Sequence, residues 1–186
     1  MPSSKDFTSV REQQPKVGIS ACLTGQHVRY DGGNRYHQLI QQELAPWINL
    51  QSICPEVEAG LGIPRPPVQL IKISEIVLAL GVEDDTLNVT EALADTSKQL
   101  TDSRCKGLSA YIVKARSPSC GAGSTPIHDI DKNQIKLGDG LFVQALKTAH
   151  PHLLIMDESS FSDIQMCREF VERCYNLQGY QLHQKD

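Results

Sequence analysis

Three short apolar runs each give way to a loop that carries a cysteine, and this recurrence constrains the chain more than any other feature. Lys16-Val-Gly-Ile-Ser20 leads to Cys22, Ile48-Asn-Leu-Gln-Ser-Ile53 to Cys54, and Leu108-Ser-Ala-Tyr-Ile-Val113 to Cys120. Runs this short, rich in β-branched residues, favour extended backbone. Helical patterns lie between them. Tyr36, Leu39, Ile40 and Leu44 precede Pro46, Asn88 with Glu91 opens a helix through about Arg104, and Gly140 to His150 turns Leu141, Phe142, Ala145 and Leu146 inward. Leu153 to Met156 reads as a last strand, followed by a helix carrying Cys167. Strands alternating with helices predict an α/β fold, one domain with a mainly parallel sheet and Rossmann-like layering. In such a sheet, loops that follow strands share the carboxyl edge, where ligands bind. The three cysteine loops are expected to meet there.

A chain of 186 residues is the size of one domain, and no repeat, low-complexity stretch or linker divides it. With 40% hydrophobic and 22% charged residues it is neither disordered nor a coiled coil. No apolar run approaches the ~18 residues of a membrane span. Lys plus Arg number 18 against 22 Asp plus Glu, a net charge of -4, so the general basic field that attracts a long nucleic acid is missing. Met1 to Gln14 is polar and mixed in charge, without an apolar segment behind a basic tip. It reads as a flexible leader over residues 1–15 ahead of a single domain over 16–180, in a cytoplasmic protein.

In a reducing compartment the six cysteines are core residues, metal ligands or reactive thiols rather than a disulfide framework. Cys167 and Cys174 share a helical stripe with Ile164, Phe170 and Val171, and Ser162 with Gln165 suggests a capping box at the start of that helix. Cys105, in Ser103-Arg-Cys-Lys-Gly107, belongs to a polar helix end closed by glycine. The other three lie among Gly and Pro, in loops that bring backbone N–H groups close to a ligand. Three readings stand. They are small buried residues, or a zinc site, for which a fourth ligand and a Cys-x2-Cys pair are lacking, or an iron–sulfur cluster with one iron left open. Glu56, two residues past Cys54, and Ser117, three before Cys120, would place a carboxyl and a hydroxyl beside a metal-bound substrate. Glu56 to Pro67, with Gly60, Gly62, Pro64, Pro66 and Pro67, is expected to be a long shaped loop. Val68–Ile73 and Ile76–Val82 pair as a hairpin or less regularly, and His150-Pro-His152 reads as a surface corner.

Gly18-Ile-Ser-Ala-Cys-Leu-Thr-Gly-Gln-His-Val-Arg-Tyr-Asp-Gly32, Cys54-Pro-Glu-Val-Glu-Ala-Gly-Leu-Gly-Ile-Pro-Arg65 and Lys114-Ala-Arg-Ser-Pro-Ser-Cys-Gly121 together resemble the motifs of the thiouracil desulfidase family. The likeness continues through Gly138-Asp-Gly-Leu-Phe142 to Asp157-Glu158 and spans about residues 16 to 175. The resemblance implies redox-neutral desulfuration of a thiolated uracil base, nucleoside or nucleotide, in which water oxygen replaces thiocarbonyl sulfur. It implies a [4Fe-4S] cluster bound by Cys22, Cys54 and Cys120, with the fourth iron open to the substrate sulfur. Glu56 then takes the place of the acid–base carboxyl and Ser117 that of the assisting hydroxyl. Arg29, Tyr30 and Arg65 match motif positions and are candidates to hold a phosphate or a pyrimidine oxygen, a structural clamp being the alternative for an arginine. The span Leu70 to Asn88 carries no motif of the family. A different class of function, a nonenzymatic iron–sulfur or nucleotide-binding sensor, uses the same loops but needs neither Glu56 nor Ser117.

Overall fold

Ala110, Tyr111, Ile112 and Val113 are all buried, so the strand that they form has to be covered on both faces. The computed structural model, which describes residues 14–183, shows how. Strands β1 (Lys16–Ser20), β2 (Asn49–Ile53), β5 (Ala110–Val113) and β8 (Leu154–Asp157) form a parallel sheet in the order β2-β1-β5-β8. A 3-10 turn over Ala21–Thr24 and a short helix of π pitch, α1 (Ile40–Leu44), lie between β1 and β2. On one face Val17, Ile19, Ala110 and Ile112 pack against Ile40 and Leu44 of α1 and against Cys167, Phe170 and Cys174 of α5 (Ile164–His183). On the other, Ile53, Tyr111 and Val113 meet Leu100 of α3 (Thr90–Asp102) and Phe142, Val143 and Leu146 of α4 (Leu141–Ala149). Each large side chain so buried contributes roughly 1.5–3 kcal/mol.

A second sheet corrects the expectation of one mainly parallel sheet. Strands β3 (Val68–Ile73), β4 (Ile76–Gly81), β6 (Thr125–His128) and β7 (Gln134–Gly138) run in the order β4-β3-β6-β7. Only β3 and β6 pair in parallel, while β3/β4 and β6/β7 are antiparallel. The connections decide this. Ser74–Glu75 and the turn in which Asn133 N–H donates to Asp129 Oδ1 (2.8 Å) are far too short for a parallel crossover. The sequence map left out β6 and β7, although Gln134-Ile-Lys-Leu137 alternates. The span Leu70 to Asn88 is thus the β3–β4 hairpin and its exit, and Leu70, Ala79 and Ile127 pack on Val89 and on Leu93 of α3.

Local signals hold with small shifts. Asn88 Oδ1 accepts from Thr90 N–H (3.0 Å) at the start of α3. The cap of α5 is Asp163, whose Oδ1 accepts from Met166 N–H (2.9 Å), and not Ser162: its carboxylate reaches the N–H three residues on. The first turn of the Glu56–Pro67 segment is the short helix α2 (Pro55–Glu58), with Pro55 in the opening turn where its missing N–H costs nothing. The His150-Pro-His152 corner turns at the surface with Pro151 and His152 exposed, while His150 shares a hydrogen bond with Thr101 O (2.9 Å) at the end of α3. Cys105 is buried in the Tyr111–Phe142 cluster. Residues 1–13 of the expected leader lie outside the described residues; Gln14 donates to Pro46 O (2.9 Å), and Pro15 O accepts from Asn49 N–H (2.9 Å). Among the described residues no helix is long and apolar enough to cross a membrane.

Candidate active site

Ser20 and Ile53 are register partners at the ends of β1 and β2, and Ile19 pairs with Ile112 one residue before the end of β5. The segments that leave these three strands carry Cys22, Cys54 and Cys120. Together with the start of β3 they enclose a cavity of about 520 Å³, within the usual size for a small-molecule site. Its lining includes Cys22, Cys54, Cys120, Glu56, Ser117, Arg29, Tyr30 and Arg65, so every candidate named from the sequence reaches one cavity. Cys105, Cys167 and Cys174 are absent from its lining and lie in the apolar clusters.

All three cavity cysteines are free, with Cys22 and Cys120 buried and Cys54 half-buried. Burial pushes the Cys22 thiol up to about 11, and the charge of Cys54 is the next cause. Burial likewise raises Cys54, and it raises Cys120 well above its ordinary value against an opposing hydrogen bond with Ser20. Cys120 also feels Cys54 and Cys22, so the three thiols are electrostatic neighbours. Burial thus favours the protonated form of all three, and a bound cationic centre would offset the cost of three thiolates here. Soft donors of this kind suit a thiophilic metal. Among the described residues no three His, Cys, Asp or Glu side chains close around one point to hold a single ion. An iron–sulfur cluster makes a different demand, because it spreads its thiolates over separate irons.

Glu56 is gripped from two sides. Arg65 Nε (2.9 Å) and Nη2 (2.7 Å) donate to Oε2, and Ser119 Oγ donates to Oε1 (2.9 Å). The Arg65–Glu56 pair is 5% and 13% exposed, a nearly buried ion pair. Arg65 also donates to Gly62 O (2.9 Å) and Val28 O (3.0 Å), which fastens two loops to the carboxylate. Ser117 Oγ accepts from the N–H of Ser119 (3.3 Å) and of Cys120 (3.1 Å), so it shapes the turn that presents the third thiol. The Arg29 guanidinium lies 3.3 Å from Asp31 and 5.2 Å from the Tyr30 ring centroid. Three more residues build the site without having been singled out by the sequence. Ser119 is fully buried. Lys114 pairs with Glu158, whose other oxygen accepts from Ala115 N–H (2.6 Å). Ser119 and Lys114 lie inside the Lys114–Gly121 motif and Glu158 in the Asp157-Glu158 segment, where a signal existed; only the pairing of Lys114 with Glu158, across 44 residues, left none.

A family model described as 2-thiouracil desulfurase matches residues 17–158, from β1 through the carboxylate that holds Lys114. The chain belongs to that family. The uncharacterized protein YbbK of Bacillus subtilis (strain 168) is 28% identical over 159 residues, covering 78% of this chain and 97% of the relative. A solved structure similar to this 2-thiouracil desulfurase family member is that of a [4Fe-4S]-dependent thiouracil desulfidase, TudS (DUF523Vcz). It aligns with a TM-score of 0.64 at 27% identity, over 84% of this chain and 99% of that one.

Proposed function

We propose that this chain desulfurates a thiolated uracil base, nucleoside or nucleotide without net redox change, at a [4Fe-4S] cluster held by Cys22, Cys54 and Cys120. The observation that carries the reading is one cavity lined by three thiols together with a carboxyl and a hydroxyl. Family membership and the likeness to a [4Fe-4S]-dependent thiouracil desulfidase support it. The reaction balances as thiocarbonyl plus water giving carbonyl plus hydrogen sulfide, with no electron gained or lost. Cys22, Cys54 and Cys120 would hold the cluster, which when bound would supply a soft, thiophilic Lewis acid toward a thiocarbonyl sulfur.

The remaining work falls to side chains. Both Arg65 donors reach Oε2 of Glu56 from one side of the guanidinium, whereas among the described residues Oε1 accepts only the bond from Ser119. Oε1 is therefore the atom that takes a proton from the attacking water and passes it to the departing sulfur. Ser117, as an acceptor of two N–H groups, keeps its own O–H to donate to substrate or water. Arg65 has Nε and both Nη atoms engaged within the protein, so we assign it to holding Glu56 and leave contacts with the pyrimidine or its substituent to Arg29 and Tyr30.

Glu56→Gln tests the reading. The variant keeps iron and labile sulfide per chain and still binds a thiopyrimidine, while its rate falls roughly 100- to 10,000-fold. Loss of thiocarbonyl absorbance and release of sulfide are followed anaerobically with thiouracil, thiouridine and their monophosphates. An unchanged rate removes Glu56 from the mechanism. No turnover of any of these compounds by cluster-loaded wild type overturns the enzymatic reading in favour of a sensor.

A further inference from the structure

We infer that Ser119 is a positioning residue for the reaction, its hydroxyl fixing the rotation of the Glu56 carboxylate. The inference rests on the desulfuration reading and on the part given there to Glu56. Ser119 Oγ donates to Glu56 Oε1 at 2.9 Å across 63 residues of sequence, and Ser119 is 0% exposed. Each partner stands beside a cavity thiol: Ser119 precedes Cys120, and Glu56 follows Cys54 by two residues.

The need for this bond comes from how Arg65 holds the carboxylate. Both of its bonds fall on Oε2, at 2.9 and 2.7 Å, rather than one on each oxygen as in a bidentate pair. The terminal torsion of a glutamate is broad and roughly two-fold, so a carboxylate gripped at one oxygen still swings the other through a wide arc. Ser119 closes that arc, and it holds the oxygen that keeps a free accepting direction.

Ser119 is itself held firmly enough to act as a fixed point. Its carbonyl accepts from Phe142 N–H (3.0 Å) and Val143 N–H (3.3 Å) in the first turn of α4, and its own N–H donates to Ser117 Oγ (3.3 Å). The approach to α4 is so close that a Cβ on Gly140 would fall 2.4 Å from Ser119 O and 2.9 Å from Cys120 N. The backbone around Ser119 is thus anchored to a helix, and its one hydroxyl donor is committed to Glu56.

Ser119→Ala removes the donor and nothing larger. A small misplacement of a catalytic group costs on the order of 100-fold in rate, so kcat should fall about 10- to 100-fold while KM stays within about twofold. Iron and labile sulfide per chain stay at wild-type level. Adding Ser119→Ala to Glu56→Gln should cost less than about twofold beyond Glu56→Gln alone, because orientation has no value once the acid–base oxygen is gone. A wild-type kcat in Ser119→Ala, a loss that multiplies undiminished in the Glu56→Gln background, or a fall in iron content overturns the inference. A wild-type rate in Glu56→Gln instead overturns the reading on which it rests.

Discussion

Arg65→Met should destabilise the reduced, cluster-free protein by about 3 kcal/mol, and the geometry sets that figure. Removing one partner of a buried ion pair typically costs about 3–5 kcal/mol, since the other charge is left uncompensated. Here the pair is 5% and 13% exposed, and the carboxylate borders the cavity, from which water reaches it. That places the pair itself below the range, at about 1–2 kcal/mol. The lost bonds to Gly62 O and Val28 O add about 1 kcal/mol each at most. With a urea m-value of about 2 kcal/mol/M, the unfolding midpoint should drop by about 1.5 M, followed by circular dichroism under reductant. Arg65→Lys keeps the charge but not the fork, and should lose roughly half as much. Adding Glu56→Gln to Arg65→Met should recover part of the loss, because an amide strands no charge. A midpoint shift below about 0.3 M in Arg65→Met, or losses in the double variant that simply add, would refute the ion-pair argument.

Serine in place of Cys22, Cys54 or Cys120 should abolish iron loading, since a hydroxyl is a poor substitute for a soft thiolate, and full iron occupancy in Cys120→Ser would count against the proposed ligand set. Cys167→Ser should load normally but lose about 1–3 kcal/mol in urea unfolding, because it buries an unpartnered hydroxyl in the α5 cluster. Burial pushes the Cys105 thiol up from 9.0 to about 12. A thiol whose folded value is raised binds its proton more tightly than the unfolded chain does, so stability should be fully present below pH 9 and decline toward pH 12, with a shallower slope in Cys105→Ala. Gly18→Ala puts a Cβ 2.2 Å from the Tyr111 ring and should cost about 1–3 kcal/mol or more; thermal melts should show part of this recovered in Gly18→Ala with Tyr111→Leu.

The sequence by itself determined the parallel half of the fold and named eight residues that line one cavity. The four runs around residues 16, 48, 108 and 153 are strands β1, β2, β5 and β8, because short apolar segments between helical patterns have few other ways to bury both faces. Glycine and proline beside Cys22, Cys54 and Cys120 marked loops, and parallel pairing of β1 with β2 and β5 carried them to one cavity. Tertiary structure alone decided the rest, for one physical reason: local pattern reports backbone conformation but not which distant polar groups meet. The mixed sheet depends on pairings such as Leu70 with Ile127, across a separation that no periodicity records. Arg65 reads equally as a substrate contact or a clamp in one dimension, and only the folded chain brings Glu56, Gly62 and Val28 within reach of its guanidinium. Ser119 and Glu158 lie in segments that the sequence marks, but nothing local gives either one a role. Their weight comes from bonding a nearly buried carboxylate and a cavity lysine, where an unmatched polar group would be costly.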